Sequence, residues 1–121
     1  MMTRELDPSG PLTKRLTLID EALAAGTISR AFFEWQEAHA EAFRTGRWEA
    51  LLAVGEAAAR IDNAIGTVGL GADARRLYLA ALVRAREEHS AAGVRRIAAA
   101  LAELGEHELA ERAYRAAQDL C

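Results

Sequence analysis

Apolar residues recur at spacings of three and four along most of the chain, the period of an α-helix with one buried face. The first such stripe consists of Leu12, Leu16, Ile19 and Leu23. Comparable stripes predict six helices, over residues 12–25, 28–44, 48–61, 74–88, 94–104 and 107–120. We therefore expect an all-α protein whose helices pack as antiparallel hairpins.

Glycines separate most of these patterns, because a glycine can adopt the left-handed conformation in which helices commonly end. Gly26, Gly46 and Gly105 follow the first, second and fifth patterns. Thr27 or Ser29 is suited to cap the second helix. Each break is short, so the predicted helices are joined by tight turns.

The remaining features of the predicted organisation are the N-terminal segment and the fourth helix. Asp7 to Pro11 has turn chemistry, which predicts a flexible lead-in over residues 1–10 and one all-helical domain over residues 11–121. Asp73 is suited to cap the fourth helix. Residues 77–83 are apolar all round, which predicts a central helix covered on more than one side.

The stripes on the second, third and sixth helices predict how particular residues pack. The second helix presents Ile28, Phe32, Trp35, His39 and Ala42 on one face, and we expect that face to point inward. The same expectation holds for Tyr114 on the sixth helix. Gly55 lies within the apolar face of the third helix, where a close neighbouring helix would explain the missing side chain.

Composition and charge exclude several classes of protein. The chain has 121 residues, of which 51% are hydrophobic, so it can bury a core of its own. A net charge of −3 gives no general attraction to nucleic acid or anionic membranes. The longest apolar stretch is too short to span a bilayer. The single cysteine, Cys121, has no internal disulfide partner, so a cytoplasmic location is the simplest expectation.

Two segments of the chain, residues 35–58 and 94–117, look alike. Each has a helix-sized run, a turn that begins with Gly46 or Gly105, and a second helix with regularly spaced small residues. Trp35 leads the first segment, and the second carries Val94, Ile97, Ala98, Leu101, Ala110, Tyr114 and Ala117. In this pattern the chain resembles a tetratricopeptide repeat (TPR) protein.

The resemblance has two departures. His39 stands where the family usually has a small residue. Gly46 and Gly105 are 59 residues apart, whereas two family repeats need roughly 68. The fold expectation therefore stays open between a TPR-like right-handed helical array and another compact helical bundle.

Residue patterns typical of catalysis or metal binding are not found. His39, His89 and His107 are too far apart to pair on one helix face. The glutamates of the second helix, Glu34, Glu37 and Glu41, fit a solvated face paired with Arg30 and Arg44. The glycine-rich stretch 66–71 lacks the Gly-Lys-Ser/Thr end of a phosphate loop and is interpreted as a connector. We predict no catalytic residue, no cofactor and no metal, hence no enzyme.

The resemblance implies a protein-binding or scaffold module, because the first helices of such repeats line a groove that holds a partner. Carried onto this chain, the partner-binding residues are Gln36, Phe43, Arg44, Arg95 and Arg96. Arg95 is the predicted contact for an acidic peptide or a C-terminal carboxylate. Phe33 and Trp48 are expected as exposed aromatic anchors.

Two other functions remain as alternatives. Helices five and six could form a helix-turn-helix DNA-binding regulator, although Glu106, Glu108 and Glu111 would then face phosphate. A small helical accessory subunit with a ligand pocket is the second alternative. A monomer or a homodimer is expected, the latter through helix one, where Leu18 lies off the main stripe.

Overall fold

The computed structural model describes residues 10–66 and 69–120, and these ranges contain six α-helices and no strand. The helices are α1 (Pro11–Ala24), α2 (Ile28–Thr45), α3 (Trp48–Ile65), α4 (Gly71–Glu87), α5 (Ala91–Glu103) and α6 (His107–Asp119). The all-α prediction is confirmed. The predictions for residues 1–9, for Thr67 and Val68 of the glycine stretch and for Cys121 lie outside the described residues.

The helices pack most extensively as consecutive pairs, α1 with α2, α3 with α4 and α5 with α6. Contacts of α2 with α3 and of α4 with α5 join one pair to the next. The odd-numbered helices also contact one another in the order α1, α3, α5. The third helix thus has the most neighbours, and ten of its residues are buried. Within the described ranges, no helix is both long and apolar enough to cross a membrane.

Three helix boundaries differ from the predictions for identifiable reasons. α3 continues to Ile65 because the left-handed residue that ends it is Gly66, with φ 76°. α4 begins at Gly71, so the predicted cap Asp73 is wrong: it lies inside the first turn and accepts a hydrogen bond from Arg76. α5 begins at Ala91 because the Ser90 hydroxyl accepts the Gly93 N–H at 3.0 Å and caps the helix.

Two glycines let neighbouring helices approach α3 closely. A Cβ at Gly55 would lie 2.6 Å from Cε1 of Tyr78 and 3.2 Å from the Leu77 Cβ, both on α4. A Cβ at Gly93 of α5 would lie 2.8 Å from the Trp48 ring of α3. The close approach predicted at Gly55 is therefore confirmed. The fully buried large residues lie around these contacts and include Ile19, Leu51, Leu52, Ile61, Leu77, Ile97 and Leu101.

Two inward positions predicted from the sequence are wrong, because Phe32 on α2 and Tyr114 on α6 are exposed. The prediction that α4 is covered on more than one side is confirmed by its packing on α3 and α5, although Val83 is exposed. On α2 the buried positions are instead Ala31, Glu34, Trp35, Ala38 and Ala42. Small side chains on this face allow α2 to pack tightly on its neighbours.

The ends of α1, α4 and α5 share one backbone pattern. In each, an N–H just past the helix donates to the carbonyl oxygen five positions earlier: Thr27 to Ala22, Ser90 to Ala85 and Glu106 to Leu101, at 2.8–2.9 Å. The residue before the donor has positive φ, which is 78° at Gly26 and 94° at Gly105. At the end of α4 the same place is taken by His89, with φ 58°.

Replacing His89 with glycine should therefore stabilise the protein. A side chain in the left-handed region costs roughly 1 kcal/mol, which His89→Gly removes while it keeps the turn. We expect the free energy of unfolding in urea to rise by about 1 kcal/mol. The converse change, Gly105→Ala, should lower it by a similar amount. Equal stability of wild type and His89→Gly would show that the His89 side chain compensates for its backbone conformation.

Candidate functional site

The rotation of α2 about its axis is fixed by a buried tryptophan. Trp35 packs in the core, and its Nε1 donates a hydrogen bond to the carbonyl oxygen of Val54 on α3 at 3.0 Å. A hydrogen bond to a buried indole N–H offsets its desolvation, so this contact helps to set which side of α2 faces α3.

A buried carboxylate fixes the other side of α2. The Glu34 carboxylate accepts one hydrogen bond from Nη1 of Arg15 on α1, at 2.8 Å, and another from Nε of Arg30, at 3.4 Å. The solvated position predicted for Glu34 is wrong, although its predicted pairing with Arg30 is confirmed. Two guanidinium partners compensate the desolvation of the carboxylate, which ties α1 to α2.

Since the core side of α2 is fixed, its remaining aromatic residues face solvent. Phe32 is 40% exposed, Phe33 55% and Phe43 50%. They belong to a surface that we call the α2 strip, formed by Phe32, Phe33, Gln36, His39, Ala40 and Phe43. The strip contains no acidic residue, lysine or arginine. Three exposed phenylalanines within about three helical turns make an unusual apolar surface for a small domain.

Ring contacts connect the strip to the core. The ring centroids of Phe32 and Trp35 are 6.1 Å apart and the rings are stacked. The ring centroids of Trp35 and His39 are 5.1 Å apart, and those of His39 and Phe43 are 5.0 Å apart. Aromatic pairs at these separations attract one another. Phe32 and His39 are therefore held against the buried Trp35 ring and Phe43 against His39, which makes the surface preorganised for binding.

Charged pairs lie beside the strip. Arg44 donates a hydrogen bond to Glu41 on the next turn of α2, and the pairing predicted for these residues is confirmed. This hydrogen bond and the charge of Glu41 raise the pKa of Arg44, which stays a cation. Because Arg30 is likewise paired with Glu34, the cations at both ends of the strip are largely neutralised.

The five predicted partner-binding residues fall on two separate helices. Gln36 and Phe43 belong to the α2 strip, and Arg44 adjoins it. Arg95 and Arg96 are exposed on α5, which packs on α3, α4 and α6, whereas α2 packs on α1 and α3. A groove shared by both groups would have to cross α3.

Arg96 and Trp48 form a contact of their own. The Arg96 guanidinium lies 5.5 Å from the ring centroid of Trp48, a cation–π geometry that links α5 to the start of α3. Trp48 itself is buried, so its prediction as an exposed anchor is wrong, whereas the predicted exposure of Phe33 is confirmed. The sequence prediction missed Phe32 and His39 as members of the exposed face.

Neither a metal site nor similarity to a known protein adds to this picture. Among residues 10–66 and 69–120, no group of three or more histidine, cysteine or acidic side chains could hold a metal ion. No protein-family model matches the chain, and no curated protein or solved structure matches it significantly. The α2 strip is therefore the feature of this molecule that points to a function.

Proposed function

We propose that this protein is a protein-interaction module that binds the apolar face of a partner helix through the α2 strip. The observation that carries the proposal is the exposure of Phe32, Phe33 and Phe43 on one preorganised helix face without a charged residue among them. Burying a phenylalanine fully contributes roughly 1.5–3 kcal/mol, so three partly buried rings supply much of the energy that a specific complex needs.

The chemistry of the strip favours an amphipathic helix as the ligand. Helix-in-groove recognition uses apolar anchors at helical spacing, and the strip presents a rigid helical surface of the matching period. Gln36 supplies hydrogen-bonding groups at its centre, while the neutralised pairs Arg30–Glu34 and Arg44–Glu41 form a polar rim. A polar rim around an aromatic centre is the usual organisation of a protein interface.

Truncating a single exposed ring should weaken partner binding. Phe33→Ala or Phe43→Ala should raise the Kd for the partner by roughly 30-fold, which corresponds to about 2 kcal/mol for a central aromatic anchor. The partner is first captured from lysate of the source cells and then purified, and its Kd for each variant is measured by calorimetry. Because both rings are exposed, the free energy of unfolding should change by less than about 0.5 kcal/mol.

Two controls make this experiment decisive. Tyr114→Ala removes another exposed aromatic ring, from α6, and should leave the Kd unchanged. Arg95→Glu tests the predicted acidic-peptide contact on α5. A partner that tolerates both phenylalanine variants but is lost with Arg95→Glu would refute the α2 strip. A concentration-dependent mass in light scattering that Phe33→Ala abolishes would identify a second copy as the partner.

A further inference from the structure

A second concave surface lies away from the α2 strip, where α3, α4 and α5 meet the turn before α6. This cleft has a volume of about 660 Å³, within the range of small-molecule sites. Its apolar part is formed by side chains such as Ala59, Ala100 and Leu104, and its polar part by Asp62, Arg75, Tyr78, Glu103 and Glu106.

Tyr78 is a nearly buried polar residue of this cleft. Its side chain is 2% exposed, because the ring edge packs against the bare Cα of Gly55. Among the described residues, no group forms a hydrogen bond with its hydroxyl. The hydroxyl oxygen is not fully enclosed and Tyr78 lines the cleft, so a group bound there can form the hydrogen bond that the protein itself does not supply.

The hydroxyl stays in its neutral form. Burial raises the pKa of Tyr78 well above its ordinary value, and the charges of Glu56 and Glu103 raise it further against an opposing effect of Arg60. The hydroxyl can therefore both donate and accept a hydrogen bond.

The carboxylates beside Tyr78 lack ion-pair partners. Neither Glu56 nor Glu103 has a cationic side chain within 4.0 Å in the described part of the chain. Burial raises the pKa of Glu56 above its ordinary value. The charges of Arg96 and Arg60 act to lower this pKa, and the charge of Glu103 acts to raise it. The Glu56 carboxylate is thus incompletely compensated.

The guanidinium groups in and near the cleft already have partners. Arg75 pairs with Glu106 at 3.3 Å, and Arg60 pairs with Asp20 at 2.9 Å. Arg96 lies over the Trp48 ring. The cleft lining carries more acidic than basic side chains, with Asp62, Glu103 and Glu106 against Arg75, beside an apolar wall.

We propose that this cleft binds an alkylammonium or alkylguanidinium group. The cation would donate hydrogen bonds to the Glu103 carboxylate and the Tyr78 hydroxyl, and its alkyl chain would lie along Ala59, Ala100 and Leu104. Glu56 adds negative charge from the adjoining surface of α3. The same chemistry is offered by a free small amine and by a lysine or arginine side chain of another protein. This site is independent of the α2 strip.

The test is an NMR titration of the ¹⁵N-labelled protein with butylammonium and butylguanidinium, and with 1-butanol as the neutral analogue. The cations should shift the amides of Ala59, Ala100 and Glu103 in a saturable way, with a Kd of about 1 mM or lower. Butanol should leave these amides unshifted. An acetylated peptide with one central arginine distinguishes the two sources: tighter binding of the peptide indicates a protein side chain, and tighter binding of the small cations a free amine.

Matched variants separate a built site from general attraction to an acidic protein. Glu103→Gln should raise the Kd at least tenfold, and Tyr78→Phe should raise it about threefold to tenfold. Glu111→Gln makes the same charge change on the exposed side of α6 and should have no effect. Glu103→Gln removes an unpaired carboxylate, so the protein should not lose stability. Shifts that are absent, linear, or equally affected by Glu103→Gln and Glu111→Gln would overturn the proposal.

Discussion

Gly55→Val is expected to lower the free energy of unfolding by about 3 kcal/mol, because the new side chain has no room between α3 and α4. Even a Cβ would lie 2.6 Å from the Tyr78 ring, closer than such atoms can pack, and 3.2 Å from the Leu77 Cβ, which is a tight contact. Overpacking of a core typically costs 1–3 kcal/mol, and the two valine methyl groups add to it. Gly55→Ala should cost about half as much, since alanine also gains helix propensity. Urea denaturation measures both values.

The matched control is Gly71→Val, at the first position of α4. A Cβ there would meet only the Asp62 Oδ2 atom, at an ordinary 3.6 Å, so stability should change by less than about 0.5 kcal/mol. Combining Gly55→Ala with Tyr78→Leu should cost less than the sum of the two single changes, because the smaller side chain makes room. Additive costs would show that the effect of Gly55→Ala does not arise from the contact with Tyr78.

Most of the helical organisation could be predicted because local signals determine it. Gly26, Gly46 and Gly105 adopt positive φ at helix ends, where glycine has no steric penalty. The start of α4 could not be predicted in this way. Leu70 precedes its first residue without a side-chain cap, so the apparent cap Asp73 misplaced the boundary by three residues. Capping residues cannot predict the start of a helix that has no side-chain cap.

The candidate site was only partly predictable, because α2 offers two overlapping apolar faces. One contains Phe32, Trp35 and His39, and the other contains Ala31, Trp35 and Ala38. Large apolar side chains favour the interior in general, which favours the first face. Tertiary contacts select the second face: the Trp35 indole must reach the Val54 carbonyl, and small alanines permit close packing.

The two proposed sites differ in how far they could be predicted from the sequence. The α2 strip could have been recognised from Trp35 alone, had it been assigned as the one buried aromatic residue of α2. The cleft around Tyr78 depends on residues from three helices and on the missing side chain at Gly55, which no local pattern brings together. Binding at the cleft and binding at the strip can therefore be tested separately, since they share no residue.

Trp35 links the core to the strip, and its removal should have the largest effect on stability of any change considered. Trp35→Ala deletes a buried aromatic side chain and its hydrogen bond to Val54, which should cost about 4 kcal/mol. Domains of this size are stable by roughly 5–15 kcal/mol, so the variant should be near its unfolding threshold. Thermal denaturation followed by circular dichroism measures the loss.

Trp35→Phe separates the two contributions. The smaller ring keeps most of the packing, but it cannot donate to the Val54 carbonyl, so a loss of about 1–2 kcal/mol is expected. In this folded variant the rings of Phe32 and His39 lose part of their support, because both contact the indole. Partner affinity should then fall while Phe33 and Phe43 remain in place. If Trp35→Phe lowered stability without any change in partner Kd, the strip would not need its buried ring for binding, and the preorganisation argument would be wrong.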